Sequence, residues 1–124
     1  MLNAAKIVAM VGTARPEQAR DFYQNVLGLD FVSEDPFALV FAGKNATIRV
    51  SRVPVVAPAP YAILAFNVED IAKAIDAITT RGATMARFPM FQQDARGIWT
   101  APDGTKVAWF HDPDLNLLSL VQPA

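Results

Sequence analysis

Apolar and polar residues alternate along the chain in two rhythms, one of helices and one of strands. Residues 6–11 carry a short apolar run after Lys6, the pattern of a buried strand. Ala19, Phe22, Tyr23, Val26 and Leu27 follow at i, i+3, i+4, i+7 and i+8, a single helical stripe. Pro16 stands where a first helical residue is favoured, and Glu17 lies near the positive end of that helix. Gly28 supplies its left-handed stop. Three short strands are predicted next, at about 29–33, 37–42 and 46–53, with a turn at Gly43, Lys44 and Asn45 between the last two.

A proline-rich connection at 53–60 leads to a second copy of this order. Residues 61–68 read as a strand buried on both faces, and Asp70 or Asn67 can cap the helix that follows. Ile71, Ala74, Ile75 and Ile78 form its stripe, and Gly82 ends it. Strands are predicted at about 84–88, 96–101, 105–111 and 116–121, the middle two joined by a turn at Pro102, Asp103 and Gly104. The spacing from Pro16 to Gly28 equals that from Asp70 to Gly82. The pattern therefore predicts an α+β fold in one domain, 1–124. It holds two tandem βαβββ modules, about 5–53 and about 61–122, that arose by duplication. They form a curved, mostly antiparallel sheet around a cleft, with one helix per module on the outer face. Side chains alternate along a strand. Ile48 and Val50 thus oppose Arg49 and Ser51, while Leu118 and Leu120 oppose Leu117, Ser119 and Val121. The first set of each pair is expected against a helix, and Arg49, Ser51 and Ser119 are expected in the cleft.

Composition narrows the chemistry. With 11 basic and 12 acidic residues and a net charge of −1, the 124-residue chain lacks the positive field of a general nucleic-acid binder. It has no cysteine, so disulfides and thiolate metal sites are excluded. A single histidine, His111, excludes a site built mainly of imidazoles. Its apolar runs fall far short of the ~20 residues that span a bilayer, and no secretory leader is read at the start. A cytoplasmic location without a membrane partner is the expectation. An apolar share of 52% is high for a small domain and implies surface buried between subunits.

Two segments carry a family resemblance. Phe22-Tyr23-Gln24-Asn25-Val26-Leu27-Gly28 resembles the FYxxVLG segment of the vicinal oxygen chelate superfamily, which includes glyoxalase I, extradiol dioxygenases and bleomycin-resistance proteins. Asp112-Pro113-Asp114-Leu115-Asn116, with the strand that follows to Val121, resembles the family's DPDGNxxEL closing strand, with Leu115 in place of the glycine. Residues 62–70 are similar to its middle strand. The resemblance implies four metal-ligand positions, which fall here on Val8, Arg49, Ile63 and Ser119. Valine and isoleucine have no donor atom, arginine offers only N–H groups and a fixed charge, and serine is a weak neutral ligand. No metal and no cofactor are therefore expected. The family also implies a homodimer.

What remains is binding chemistry. Arg49 can hold a carboxylate or phosphate in a two-point fork, or it pairs with an acid at the sheet edge. Trp99 and Trp109 can stack on a planar ligand, or they pack in the core or at a dimer interface. Val8, Met10, Ser51, Ile63 and Ser119 complete the candidate ligand-binding set, and Phe41 and Tyr61 can line the same cavity. His111 is read as a structural residue bonded to Asp112 or Asp114. Phe88, Met90 and Phe91 lie in a loop that either closes over the site or packs on a second subunit. The leading reading is a metal-independent small-molecule-binding protein whose ligand is planar or acidic. A glyoxalase-like lyase or dioxygenase-type enzyme is the alternative, and a structural or interaction dimer is the third.

Overall fold

The computed structural model describes residues 1–124. The chain divides into two compact units, Met1–Ala57 and Pro58–Ala124. The first unit runs β1 (Val8–Thr13), α1 (Pro16–Asp21), a wide π-helical turn (Phe22–Val26), β2 (Asp30–Glu34), β3 (Ala38–Ala42) and β4 (Thr47–Arg52). The second runs β5 (Leu64–Asn67), α2 (Ile71–Thr80), β6 (Met85–Ala86), β7 (Trp99–Thr100), β8 (Lys106–His111) and β9 (Leu117–Gln122).

Both units use one plan. In the first sheet the strand order is β1-β4-β3-β2, with β1 parallel to β4 and the other pairs antiparallel. In the second the order is β5-β9-β8-β6, with β5 parallel to β9, and β7 also pairs with β8. First strand beside last is the same arrangement in each, which is the α+β, two-module βαβββ architecture. Neither sheet closes into a barrel.

The core of the first unit follows the helical stripe. Ala19, Phe22, Tyr23 and Val26 are buried, as are Leu39, Phe41, Ile48 and Val50 on the sheet. Tyr23 and Phe41 lie 5.6 Å apart between ring centroids. The stripe crosses from α1 into the π-helical turn, where the Leu27 N–H donates to the Phe22 carbonyl at 2.9 Å. Gly28, at φ 74°, ends it. In the second unit α2 packs on β8 and β9. Ile71, Ile75 and Ile78 meet a sheet face that includes the buried Ala108, Phe110, Leu118 and Leu120. The Asp70 carboxylate caps α2 by accepting the Lys73 N–H at 3.1 Å.

Three expectations change. The strand expected at 61–68 begins only at Leu64 and is not buried on both faces: Tyr61 is 66% exposed and Ile63 37%. Its strand is a sheet edge, so one flank has no neighbour. The strands expected at 84–88 and 96–101 shrink to two residues each, because a loop takes the hydrogen bonds between them. Phe41, expected at the cavity, is fully buried in the first unit's core.

Candidate functional site

In the second unit the sheet face turned away from α2 is the chemically distinctive one. Pleating puts Trp109 between the buried Ala108 and Phe110 and onto the opposite face, with Leu117 and Ser119. Trp109 is the register partner of Ser119, and Ser119 of Ala65, so the three form one row across the sheet. Against this face lies a cavity of about 290 Å³, lined by Pro60, Tyr61, Ala62, Phe88, Met90, Phe91, Trp109 and Leu117. No charged side chain is among them. Wall residues of this type suit an apolar, planar ligand.

The rings form a connected cluster. Phe91 stacks on Trp109 at 4.9 Å between centroids with an interplanar angle of 15°. Phe88 meets Trp109 edge to face at 5.4 Å. Trp99 lies 4.9 Å from Phe91 and 6.3 Å from Trp109. The phenylalanines come from the loop between β6 and β7, and that loop is tied to α2. Arg96 donates through Nε and an Nη to the two oxygens of Asp76, at 2.9 and 3.0 Å. That guanidinium holds the Asp76 carboxyl below its ordinary value.

The first unit brings four candidates onto one face as well. Met10 is the register partner of Arg49, and Gly12 of Ser51, while Val8 pairs with Thr47 two positions away. Val40 flanks Arg49 on its other side. Arg49 is half-buried; its backbone is paired in the sheet, and its guanidinium makes no hydrogen bond or salt bridge. The sheet-edge salt bridges go elsewhere: Glu34 takes Arg20 at 3.2 Å and also Arg52. The Asp35 carboxyl is lowered mainly by the backbone N–H groups of Phe37 and Ala38, with smaller contributions from the charges of Arg49 and Arg52.

Of the residues singled out from sequence, Trp109 lines the cavity, Trp99 and Ser119 adjoin Trp109, and Ile63 precedes β5 with its N–H donated to the Leu117 carbonyl at 2.9 Å. Val8, Met10, Arg49 and Ser51 lie in the other unit. Pro60, Ala62 and Leu117 were not among the candidates. Leu117 was readable from its alternation with Leu118; the other two carry no signal of their own. The expected bond from His111 is replaced by a local turn. Asp112 accepts the N–H groups of Asp114 and Asn116 through one oxygen and the Asn116 amide through the other, all at 2.9 Å.

The family's metal does not fit this chain. Val8, Arg49, Ile63 and Ser119 offer no anionic or imidazole donor, and no group of three or more histidine, cysteine or carboxylate side chains is placed to hold an ion.

Residues 7–120 match the family model described as the Glyoxalase/Bleomycin resistance protein/Dioxygenase superfamily. No curated protein matches the chain. Among solved structures, a member of that superfamily from Sphaerobacter thermophilus DSM 20745 is 25% identical over 99% of this chain and 100% of its own, with a TM-score of 0.76. TnmS3, an antibiotic binding protein from Streptomyces sp. CB03234, is 24% identical over 98% of both chains at a TM-score of 0.73. A glyoxalase/bleomycin resistance protein from the same Streptomyces strain is 22% identical over 95% of this chain and 100% of its own, at 0.69.

Proposed function

The chain belongs to the glyoxalase/bleomycin resistance protein/dioxygenase superfamily, and on that premise we propose that it binds a small molecule without a metal. A planar, apolar group sits in the cavity of the second unit. The observation that carries this reading is the lining itself: Phe88, Phe91 and Trp109 offer aromatic surface, Met90 and Leu117 add adaptable apolar walls, and no charge opposes burial. Sequestration needs only such a dry, shaped site. The antibiotic-binding protein of the same fold supports binding rather than turnover, at the level of fold alone. A glyoxalase or dioxygenase reaction of the family's type has no donor set here to run on.

Arg49 is a separate element of the reading, an anion contact within the first unit. A half-buried guanidinium that makes no salt bridge in its own chain suits a carboxylate or phosphate in a bidentate contact. Ser51 stands on the same sheet face, paired with Gly12. A homodimer completes the reading, supported by the exposed Ile7, Val8 and Met10 on and beside the edge strand β1.

Fluorescence titration tests both elements. Two probes are used, neutral N-phenyl-1-naphthylamine and anionic 1-naphthoate, with a chelator present throughout. Trp109→Ala is expected to weaken the neutral probe at least ~10-fold, the loss of one good aromatic contact with its buried area. Arg49→Ala is expected to weaken only the anion. Unchanged affinity for the neutral probe in Trp109→Ala contradicts the pocket assignment, and unchanged naphthoate affinity in Arg49→Ala contradicts the anion contact.

A further inference from the structure

We propose that Gln93, which is not among the residues lining the second unit's pocket, is the positioning residue that sets its aromatic wall. This rests on the reading of that pocket as the ligand site. The wall is built from a loop, and its residues belong to a single turn. The Phe91 N–H donates to the Phe88 carbonyl at 3.1 Å, closing the four residues Phe88, Pro89, Met90 and Phe91. Pro89 occupies the second position, where its fixed φ suits the turn. The two ends of the turn carry the rings that meet Trp109, and its outer corner carries Met90, which is 75% exposed. A β-turn alone leaves such a wall free to swing, since its flanking strands β6 and β7 hold only two residues each.

The Gln93 amide removes that freedom. Its Oε1 accepts the Phe88 N–H at 2.8 Å. Its Nε2 donates to the Ala86 carbonyl at 3.1 Å and to the Gly97 carbonyl at 2.8 Å. One side chain thus ties together the end of β6, the first residue of the turn and the approach to β7. Ala86 is itself the register partner of Trp109, so the clamp is referenced to the strand that carries the stacked ring. Glutamine alone suits this position, because it offers an acceptor and two donors on a side chain long enough to reach all three points. Glutamate lacks the donors, and lysine lacks the acceptor. Gly97 has φ 90°, and a Cβ there would stand 3.7 Å from the Gln93 nitrogen, so the clamp needs a glycine for its backbone conformation rather than for space. Arg87, Asp94 and Arg96 brace the same loop from its exposed side. Arg87 donates to the carbonyls of Asp94 and Ala95, and Asp94 accepts the N–H groups of Arg96 and Ile98.

The test uses the full chain and N-phenyl-1-naphthylamine in three variants. Gln93→Leu is expected to raise the probe Kd about 10-fold, because three backbone groups lose their partner and the wall loosens. The near-ultraviolet circular dichroism of the stacked rings is expected to fall with it. Gln93→Glu is expected to match that loss at pH 7, where a carboxylate faces two carbonyls. It should recover part of the affinity as the pH drops toward ~4.5 and the carboxyl gains a donor. The same pH series on the natural chain corrects for Asp94 and its neighbours. A Gln93→Leu chain that fails to fold leaves the pH recovery of Gln93→Glu to decide. Affinities within two-fold of the natural chain in both Gln93 variants, with binding lost in Trp109→Ala, overturn the clamp alone. Full binding in Trp109→Ala overturns the pocket reading and the clamp with it.

Discussion

Leu115 stands with φ 67° in the turn between β8 and β9, a conformation that L side chains rarely adopt. The family motif it resembles has glycine at this point. A leucine there costs ~1–2 kcal/mol in crowding between its Cβ and the backbone. It regains little by packing, since it is 63% exposed. The turn holds because its neighbours over-determine it: buried Asp112 and Asn116 are hydrogen-bonded to each other through side chain and backbone, and Asp112 also accepts the N–H groups of Asp114 and Leu115. Replacing Leu115 with glycine is expected to stabilise the chain by about 1 kcal/mol, once glycine's own chain entropy is subtracted. Thermal unfolding by circular dichroism should show a rise of a few degrees, and a fall would contradict the strain. The sequence announced this position, because a leucine in a glycine slot stands out against its motif. It announced Arg49 less completely. Alternation gave the sheet face of Arg49, but its lack of an ion pair depends on Arg20 and Arg52 having taken Glu34.

Helices and most strands were legible as elements because their signals are local. The stripes through Phe22 and Ile75 are the buried faces, and Asp70 is the cap. The π-helical turn was not legible, since Phe22, Tyr23 and Val26 satisfy an ordinary helical spacing equally well. The strand at 61–68 was misjudged for a different reason. An unbroken apolar run reads as doubly buried, but burial also needs neighbours, and β5 has β9 on one side only. The edge strand β1 shares that exposure. Ile7 is 84% exposed, Met10 59% and Val8 41%, on and beside the terminal strand of the first sheet. An edge of this kind invites a second copy. The chain is therefore expected to sediment as a dimer of twice 13.5 kDa, and Ile7→Lys together with Val8→Lys is expected to shift it to monomer. A monomeric natural chain at all accessible concentrations contradicts the dimer.

At the scale of the molecule, a repeated plan was readable from the equal helix spacing, and both sheets place their first strand beside their last. The pocket was readable only in part. Trp109 was a candidate, but the stacking of Phe91 on it joins residues 18 positions apart through a loop whose shape Gln93 fixes, and no local rule places such a contact. The four positions onto which the resemblance carries the family's metal ligands, Val8, Arg49, Ile63 and Ser119, hold no set of metal donors. The central claim is metal-independent binding of a planar apolar group in the second unit. The chain has two tryptophans, so its two indole N–H signals can be followed by ¹⁵N–¹H correlation spectroscopy while N-phenyl-1-naphthylamine is added in the presence of a chelator. Saturable shifts are predicted at the Trp109 indole and at the amides of Phe88, Met90 and Phe91. Absence of any saturable shift, or shifts confined to residues outside this lining, would contradict the claim.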